Sequence, residues 1–315
     1  MKTSRPVVLV ARGLPAAGRD RLAAELEVIE GGLDATAARV RELAPGAAAI
    51  VVDPAVAVGE QLLEVAGPAL RIVANFGVGH DHVDLDACRR RGVFVTNTPG
   101  VLTDATAELA LALTLAAARR LTDAAAAVQE GRWTVLDPGA HLGVELTGSC
   151  VGIVGMGRIG YRYAELVRPL AKEIVYASRS PSIVAERELG AARLEFDGLL
   201  ERADVVSLHL PATAGGEPII GRQELARMTP TAILVNTARG RSSMRRRSHR
   251  RCAGARSRQR VSTSTSTSPG CRVSCSRRRT ASCFHTSVRP LLVLATRWPG
   301  WSPPTCSPPS VARSP

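Results

Sequence analysis

The chain has 315 residues, enough for two domains that each bury a core of ordinary size. Its 41 Lys and Arg residues outnumber its 28 Asp and Glu residues, but 16 of the basic residues, all arginine, lie in residues 241–315, which contain no acidic residue. The first 240 residues therefore carry 25 basic against 28 acidic side chains, a balance that argues against a nucleic-acid-binding body. No apolar run approaches the ~18 residues that a membrane span needs.

Cysteine usage and the start of the chain point to a compartment. Only Cys88 and Cys150 lie in the first 240 residues, and their spacing fits neither a metal site nor a disulfide framework. We interpret them as buried thiols in a reducing compartment. The residues from Met1 to Pro6 lead directly into a predicted strand rather than an apolar signal segment. We therefore expect a cytoplasmic protein without a metal site.

Short apolar runs alternate with helix-like stretches through the first hundred residues. Helix-like stretches such as Gly18–Glu27 and Asp34–Leu43 separate the predicted strands, which are Val7–Val10, Ala49–Val52, Arg71–Asn75 and Val93–Thr96. Alternation of this kind predicts a parallel, doubly wound sheet covered by helices. We expect this first domain to span residues 1–101.

A long apolar segment, Asp104–Leu121, follows the first domain. It predicts a helix with Asp104 as its N-cap, buried because it is apolar on nearly every face, most naturally between two domains. A second series of strands and helices begins at Cys150 and can be followed to Asn236. The fold class expected is α/β, with two doubly wound, Rossmann-like parallel-sheet domains at 1–101 and 102–240 and a cleft between them.

The strongest motif is a strand that runs into a glycine-rich turn and then a helix, Cys150–Gly160. In this G-x-G-x-x-G pattern, Gly155 allows a tight turn, Gly157 lets the backbone approach a pyrophosphate, and Gly160 allows the helix to pack closely on the strand. A second predicted strand, Glu173–Ala177, follows at the right distance. The context predicts a dinucleotide-binding site over a merely structural glycine turn.

The end of the second strand bears on which dinucleotide binds. An NAD enzyme usually has Asp or Glu there to bind the ribose 2′-hydroxyl, but this chain has Ser178, Arg179 and Ser180. An arginine between two hydroxyls suits a 2′-phosphate, so NADP(H) is favoured. The alternative is that Arg179 is an ordinary solvated charge and that NAD(H) is also accepted.

With these motifs in place, the chain resembles the D-isomer-specific 2-hydroxyacid dehydrogenase family, and most of all its glyoxylate/hydroxypyruvate reductases. The resemblance covers the first 240 residues in the family's order and spacing. The segments that carry it are Asn75–Asp84, Thr96–Glu108, Gly155–Gly160, Ala203–Thr213 and Ile233–Gly240. It implies hydride transfer between a nicotinamide cofactor and a small 2-oxo or 2-hydroxy acid, and a homodimer formed through the cofactor domain.

The resemblance also implies roles for particular residues. Backbone amides around Val78 and Gly79 would hold the substrate carboxylate, because glycine-rich turns expose N–H groups to an anion. Arg239 matches the family's catalytic arginine, which orients the 2-oxo acid and polarises its carbonyl group. The positions that match the family's cofactor wall and pyrophosphate site are Thr106, Arg158, Ile159, Leu210, Pro211 and Thr237. His209 is interpreted as a structural or cofactor-wall histidine.

After Gly240 the family pattern stops, and the expected catalytic Glu and His are absent. We therefore consider a shifted reading frame for residues 241–315, in which each new codon takes the third base of one present codon and the first two bases of the next. This shifted frame permits the missing family motifs in their usual order. Val261–Pro269 permits G-L-D-V-(D/Y)-E-H-E-P, Phe284–Pro290 permits P-H-I-G-S-A, Ser242–Ser248 permits V-V-D-E-A-A-L, and Arg297–Pro299 permits A-M-A. We interpret residues 241–315 as an out-of-frame, disordered tail, in which the Glu and His would fall opposite Ser268 and Thr286.

The frame shift has consequences for the fold and for activity. We expect the second sheet to lack its last strands, and the chain as written to turn over slowly or not at all. The alternatives kept open are a phosphoglycerate or other D-2-hydroxyacid dehydrogenase, a non-catalytic dinucleotide-binding remnant, and a nucleic-acid binder that uses the arginine-rich tail. The lack of aromatic residues in the arginine-dense stretch argues against the last of these.

Overall fold

The computed structural model describes residues 5–211 and 218–238, together with two short strands farther along the chain. A first sheet has five parallel strands in the order β2-β1-β3-β4-β5. They are β1 (Val7–Val10), β2 (Glu27–Glu30), β3 (Ala49–Val52), β4 (Ile72–Asn75) and β5 (Phe94–Thr96). The order 2-1-3-4-5 is that of flavodoxin-like sheets, which place ligands at the carboxyl ends of their strands.

Helices connect the strands of this first sheet. They are α1 (Ala16–Glu25), α2 (Ala37–Leu43), α3 (Glu60–Ala66) and α4 (Leu85–Arg90). Side chains cap two of them, since Thr36 accepts from the amide of Arg39 and Asp84 from that of Ala87. The four strands that sequence patterning predicts are present, but β2 was not predicted, and its first residue is the last residue of the predicted helix Gly18–Glu27. The first and last residues of β2, Glu27 and Glu30, are acidic and exposed. The strand therefore lacks the buried apolar run that identifies the other strands.

The long apolar segment forms two helices rather than one. Helix α5 (Thr103–Ala118) is followed by α6 (Leu121–Gln129), and between them Arg120 adopts a left-handed conformation with φ of 52°. The predicted N-cap is also wrong. Leu102 occupies that position, and Asp104 lies in the first turn, where its carboxylate accepts from Arg162 at 2.7 Å. A carboxylate in the first turn still favours the helix through its dipole.

The second sheet is also parallel and has the order β12-β11-β10-β9-β6-β7-β8. Its first five strands are β6 (Cys150–Val154), β7 (Glu173–Ala177), β8 (Ala192–Arg193), β9 (Val205–Leu208) and β10 (Ile233–Asn236). Numbered within this sheet, the order from β8 is 3-2-1-4-5 and onward, which is the order of dinucleotide-binding sheets. Both expected doubly wound parallel sheets are therefore present.

Helices cover the second sheet. They are α7 (Arg158–Val167), α8 (Ile183–Leu189), α9 (Phe196–Arg202) and α10 (Arg222–Arg227). One face of α5 packs into this core through Ala110, Leu113 and Ala117, whereas Leu115 remains 36% exposed. The expectation that α5 is buried on nearly every face is therefore wrong, since its other face has the exposed residues Asp104, Ala105, Glu108, Ala112 and Leu115.

The second sheet extends beyond β10, contrary to the expectation that its last strands are missing. Two three-residue strands, β11 (Val261–Thr263) and β12 (Ser282–Phe284), continue it in parallel. Strand pairing uses main-chain groups, so an alternating Ser/Thr segment can pair with the edge of β10 whatever its reading frame. The remainder of the predicted disordered tail lies outside the described residues.

Two further expectations can be compared with the described residues. Cys88 and Cys150 are both free and buried, as predicted, and burial raises the pKa of Cys150 to about 11. In the described part of the chain, no helix is long and apolar enough to cross a membrane.

Candidate functional site

The glycine-rich turn after β6 has the geometry that the sequence predicts. Gly155 has φ of +98°, and a Cβ there would lie 2.6 Å from the carbonyl oxygen of His209. A Cβ on Gly160 would lie 2.0 Å from the carbonyl oxygen of Gly155. Only a residue without a side chain fits these two positions, so α7 can begin directly above the end of β6.

Gly157 differs from its two neighbours in the motif. It caps α7 with an extended backbone (φ −81°), and no atom lies within 4 Å of the Cβ that a substitution would add. The open space lies at the N-terminus of α7, where unpaired amides and the helix dipole favour an anion. Arg158 is exposed and Ile159 half-buried in the first turn, beside this space. The arrangement fits a pyrophosphate.

The end of β7 presents a cationic loop. Ser178 is half-buried, and Arg179 is exposed with its guanidinium bonded to no residue that the structure describes. Arg193 of β8 donates to the carbonyl oxygens of Ser178 at 3.0 Å and Arg179 at 3.3 Å. No carboxylate follows β7 directly. Two guanidinium groups therefore lie at the point where a dinucleotide-binding sheet receives the adenosine ribose.

The end of β9 lies against the glycine turn. The amide of His209 donates to the carbonyl oxygen of Val154 at 2.8 Å, and Leu210 Cδ2 lies 2.8 Å from the position of a Cβ on Gly155. Leu210 is half-buried and Pro211 exposed beyond it. Two of the predicted cofactor-wall residues thus adjoin the predicted pyrophosphate turn.

Behind this wall lies a network of polar side chains, in which Ser207, Tyr163 and Thr114 are buried and His209 is half-buried with its Nδ1 atom buried. His209 Nε2 lies 2.9 Å from Ser207 Oγ, and its ring packs on Tyr163 with 5.0 Å between centroids. The Tyr163 hydroxyl lies 2.9 Å from Thr114 Oγ1. Burial lowers the pKa of His209 to about 3 and raises that of Tyr163 to about 12. His209 is therefore neutral near pH 7, which suits a structural residue better than a proton donor.

Candidate residues also follow β10 and begin α5. Thr237 comes directly after β10, and its hydroxyl is buried without a hydrogen-bond partner in the part of the chain that the structure describes. A buried unpaired hydroxyl at this edge is a group that a bound ligand could satisfy. Thr106 is half-buried in the first turn of α5, near the Asp104–Arg162 ion pair that joins α5 to α7. The predicted catalytic residue Arg239 lies outside the described residues.

These positions meet at one edge of the second sheet. Strands β6, β7, β9 and β10 are parallel and adjacent, so the residues that follow them lie along the same edge. The chain leaves β6 toward β7 on one side, while β9 pairs on the other side of β6. Such a change of direction leaves a crevice beyond the strand ends, and ligands of parallel sheets bind there.

The predicted substrate loop follows β4 in the first sheet. Val78 and Gly79 are both half-buried, and Gly77 is buried beside Pro54. The buried side chain of Asn75 donates to the carbonyl oxygens of Gly77 at 3.0 Å and Gly79 at 2.9 Å. These bonds fix a tight turn at the carboxyl end of β4.

Sequence reasoning missed Asn75, Asn97 and Arg193. All three donate to main-chain carbonyl groups, Asn97 to that of Val78 at 2.8 Å, and bonds of this kind leave little pattern in the sequence. A usable signal was the position of both asparagines at the carboxyl ends of adjacent strands, where loop-stabilising side chains are common. No group of three or more His, Cys, Asp or Glu side chains in the described residues could hold a metal ion.

The fold and this edge define a class of protein. A parallel sheet with the 3-2-1-4-5 order, a glycine turn at the switch point and an open helix N-terminus form a site for a dinucleotide. Comparison with known proteins agrees, because residues 111–245 match the family model described as D-isomer specific 2-hydroxyacid dehydrogenase, NAD binding domain.

Relatives and solved structures extend the match to most of the chain. A glyoxylate reductase from Pyrococcus furiosus is 39% identical over 242 residues, which are 75% of this chain and 72% of that protein. A glyoxylate reductase from Thermococcus litoralis is 47% identical over 187 residues, 58% of this chain and 56% of that one. The crystal structure of the TT0316 protein from Thermus thermophilus is similar with a TM-score of 0.76 and 37% identity, covering 84% of this chain and 83% of that one.

This chain therefore belongs to the D-isomer-specific 2-hydroxyacid dehydrogenase family. The aligned part spans little more than half the length of the Thermococcus litoralis protein, so the activity of that whole protein does not transfer with the family.

Proposed function

We propose that this protein is built to reduce a small 2-oxo acid of the glyoxylate or hydroxypyruvate type to the 2-hydroxy acid, with NADP(H) favoured over NAD(H). The observation that carries the proposal is the glycine turn at the switch point of the second sheet, with an open space at Gly157 for a pyrophosphate. The substrate class is supported by the relatives named glyoxylate reductase.

The residues along the edge would hold the cofactor. Amides at the start of α7 would bind the pyrophosphate, with Arg158 and Ile159 over it. Arg179 would pair with a 2′-phosphate, since its guanidinium has no described partner. The wall residues would be Thr106, Leu210, Pro211 and Thr237, the last through its unsatisfied hydroxyl. When bound, the reduced nicotinamide supplies the hydride.

The substrate would be held from the first sheet and by one arginine. Amides of Val78 and Gly79 would bind the carboxylate, and Arg239 would orient the 2-oxo group by a forked contact and polarise its carbonyl oxygen. Orientation by fixed donors would place the carbonyl carbon for attack and lower the entropic part of the barrier. Among the residues described around the glycine turn, His209 is held neutral and so supplies no proton.

We propose that the chain as written is impaired. In the family a His delivers the proton to the carbonyl oxygen, and a Glu keeps that His protonated. Neither motif is present after Gly240, and one lost base near that codon would explain their absence. A non-catalytic dinucleotide binder is therefore the second candidate. Phosphoglycerate or another D-2-hydroxy acid is the alternative substrate if the frame is restored.

Turnover by two polypeptides tests the proposal. The chain as written should oxidise NADPH with glyoxylate about 10²–10⁴ times more slowly than a version with one base restored near codon 240, because a general acid contributes about that factor in rate. Equal rates would contradict the frame-shift proposal. Absence of glyoxylate reduction by the restored version, with reduction of another 2-oxo acid, would correct the substrate.

Cofactor choice needs its own test on the chain as written. Arg179→Gln should weaken NADPH binding by about tenfold and leave NADH binding unchanged, because only the 2′-phosphate is lost as a partner. Arg187→Gln, an exposed arginine paired with Glu188 on α8, is a matched control. Equal affinities of the wild type for NADPH and NADH would refute the preference.

Two features of the setting belong to the same proposal. The free thiols of Cys88 and Cys150 are consistent with a cytoplasmic location.

Exposed apolar side chains after α6 would support a homodimer formed through the domain of the second sheet. They are Trp133, Val135, Leu136 and Leu142, and they would pack against a second copy of the chain. Light scattering of the purified chain would give its mass in solution.

A further inference from the structure

The turn after β4 is held by side-chain amides at three consecutive carbonyl groups. Asn75 Nδ2 donates to the carbonyl oxygens of Gly77 and Gly79, and Asn97 Nδ2 donates to that of Val78 at 2.8 Å. The amide of Thr98 adds a second bond to Gly77 O at 3.0 Å. Every carbonyl group from Gly77 to Gly79 is therefore bound from the side of β4 and β5.

Binding the carbonyl groups fixes the direction of the amide groups. In a trans peptide the C=O of one residue and the N–H of the next point in opposite directions, and none of the described peptide bonds is cis. The amides of Val78, Gly79 and His80 must then point away from the two asparagines. These three amides donate to no residue that the structure describes.

The orientation of the Asn75 side chain follows from its partners. Two carbonyl oxygens face the same end of the side-chain amide, and only the NH₂ group can donate to both. Asn75 is 2% exposed, so solvent cannot replace these bonds if the side chain is shortened. Asn97 is exposed and holds a single carbonyl group, so it should contribute less.

We propose that Asn75 and Asn97 are positioning residues for carboxylate binding. Asn75 aims the amides of Val78 and His80, and Asn97 aims the amide of Gly79, toward the carboxylate of a 2-oxo acid. Neither asparagine touches the substrate. Three preset amides form an anion-binding nest without a charged side chain. The inference rests on the proposed substrate role of this loop and adds the residues that preset it.

The test uses the full chain with ¹⁵N-labelled Val and Gly, titrated with glyoxylate in the presence of NADP⁺. The wild-type amides of Val78 and Gly79 should shift in the spectrum as glyoxylate binds. Asn75→Ala should weaken glyoxylate binding by about tenfold and Asn97→Ala by about threefold, in line with the loss of two hydrogen bonds and of one. Thr98→Ala is the matched control, because Thr98 acts through its main-chain amide.

A merely structural role would change other properties as well. Asn97→Ala should keep the wild-type affinity for NADP⁺ and the wild-type melting temperature, so it decides the question even if Asn75→Ala fails to fold. Wild-type glyoxylate affinity in Asn97→Ala and in any folded Asn75→Ala would overturn the positioning role while leaving the substrate loop in place. Absence of any shift at Val78 and Gly79 in the wild type would overturn the substrate loop itself, and this inference with it.

Discussion

The glycine turn after β6 and the asparagine-held turn after β4 both expose main-chain amide groups to a ligand, but different interactions hold the two turns in shape. Each lies at the carboxyl end of a parallel strand, and each leaves main-chain amides without described partners. After β6 the backbone itself makes the shape, since Gly155 and Gly160 allow a turn and a close approach that any Cβ would block. After β4 the shape comes from Asn75 and Asn97, whose side chains bind the carbonyl groups.

The difference teaches why one turn is recognisable and the other is not. Steric exclusion demands glycine at fixed spacings, so the glycine turn leaves a pattern in the sequence. Hydrogen bonding to main-chain carbonyl groups can come from any donor that the fold brings near, so the asparagine-held turn leaves almost none. The predictions below test whether the two turns depend on these different causes.

The largest effect is expected at Gly160. Gly160→Ala would place a Cβ 2.0 Å from a main-chain oxygen, and relief requires movement of α7 or β6. The free energy of unfolding should fall by roughly 3 kcal/mol, the upper range for overpacking, and NADPH binding should be lost. Urea denaturation measures the first and fluorescence titration the second. Gly198→Ala on α9, where a Cβ meets open space, should leave the protein as stable as wild type or more so.

The second-largest effect is expected when the free energy of unfolding is measured against pH, because a histidine beside the glycine turn has a lowered pKa. His209 adjoins Gly155, and burial lowers its pKa from 6.5 to about 3, whereas the asparagines do not titrate. Below pH 6.5 the unfolded chain binds a proton that the folded chain does not, so this contribution to stability is present above pH 6.5 and is lost as the pH falls toward 3. Its loss should be about 2 kcal/mol at pH 5.

The variants His209→Gln and His80→Gln isolate this contribution. Urea denaturation between pH 7 and pH 4 should show a shallower loss of stability for His209→Gln, while the exposed His80→Gln retains the wild-type slope. Identical slopes for His209→Gln and wild type would assign the acid sensitivity to other groups.

The smallest change in stability is expected at Gly157. Gly157→Ala meets no atom within 4 Å and has an ordinary φ, so unfolding should change by no more than about 0.5 kcal/mol. The added methyl group would occupy the space assigned to the pyrophosphate, and NADPH affinity should fall about tenfold or more, equivalent to about 1.4 kcal/mol. Unchanged NADPH affinity in a folded Gly157→Ala would remove the main support for the pyrophosphate position.

Much of the fold could be predicted from sequence because buried parallel strands are continuous apolar runs. Val7–Val10 and Ala49–Val52 have the predicted bounds, but the amphipathic Glu27–Glu30 does not resemble them. The break at Arg120 was missed, since a left-handed arginine leaves no mark in composition. Strands β11 and β12 were missed because main-chain pairing tolerates almost any short segment.

The sequence by itself determined the family, the two parallel sheets and the dinucleotide turn, because apolar periodicity and obligatory glycines act locally along the chain. Only the tertiary structure decided which residues support those turns. Arg193 reaches the loop after β7, and Asn97 the loop after β4, from strands that follow later in the chain. His209 is neutral for the same kind of reason, since burial by neighbours distant in sequence sets its pKa.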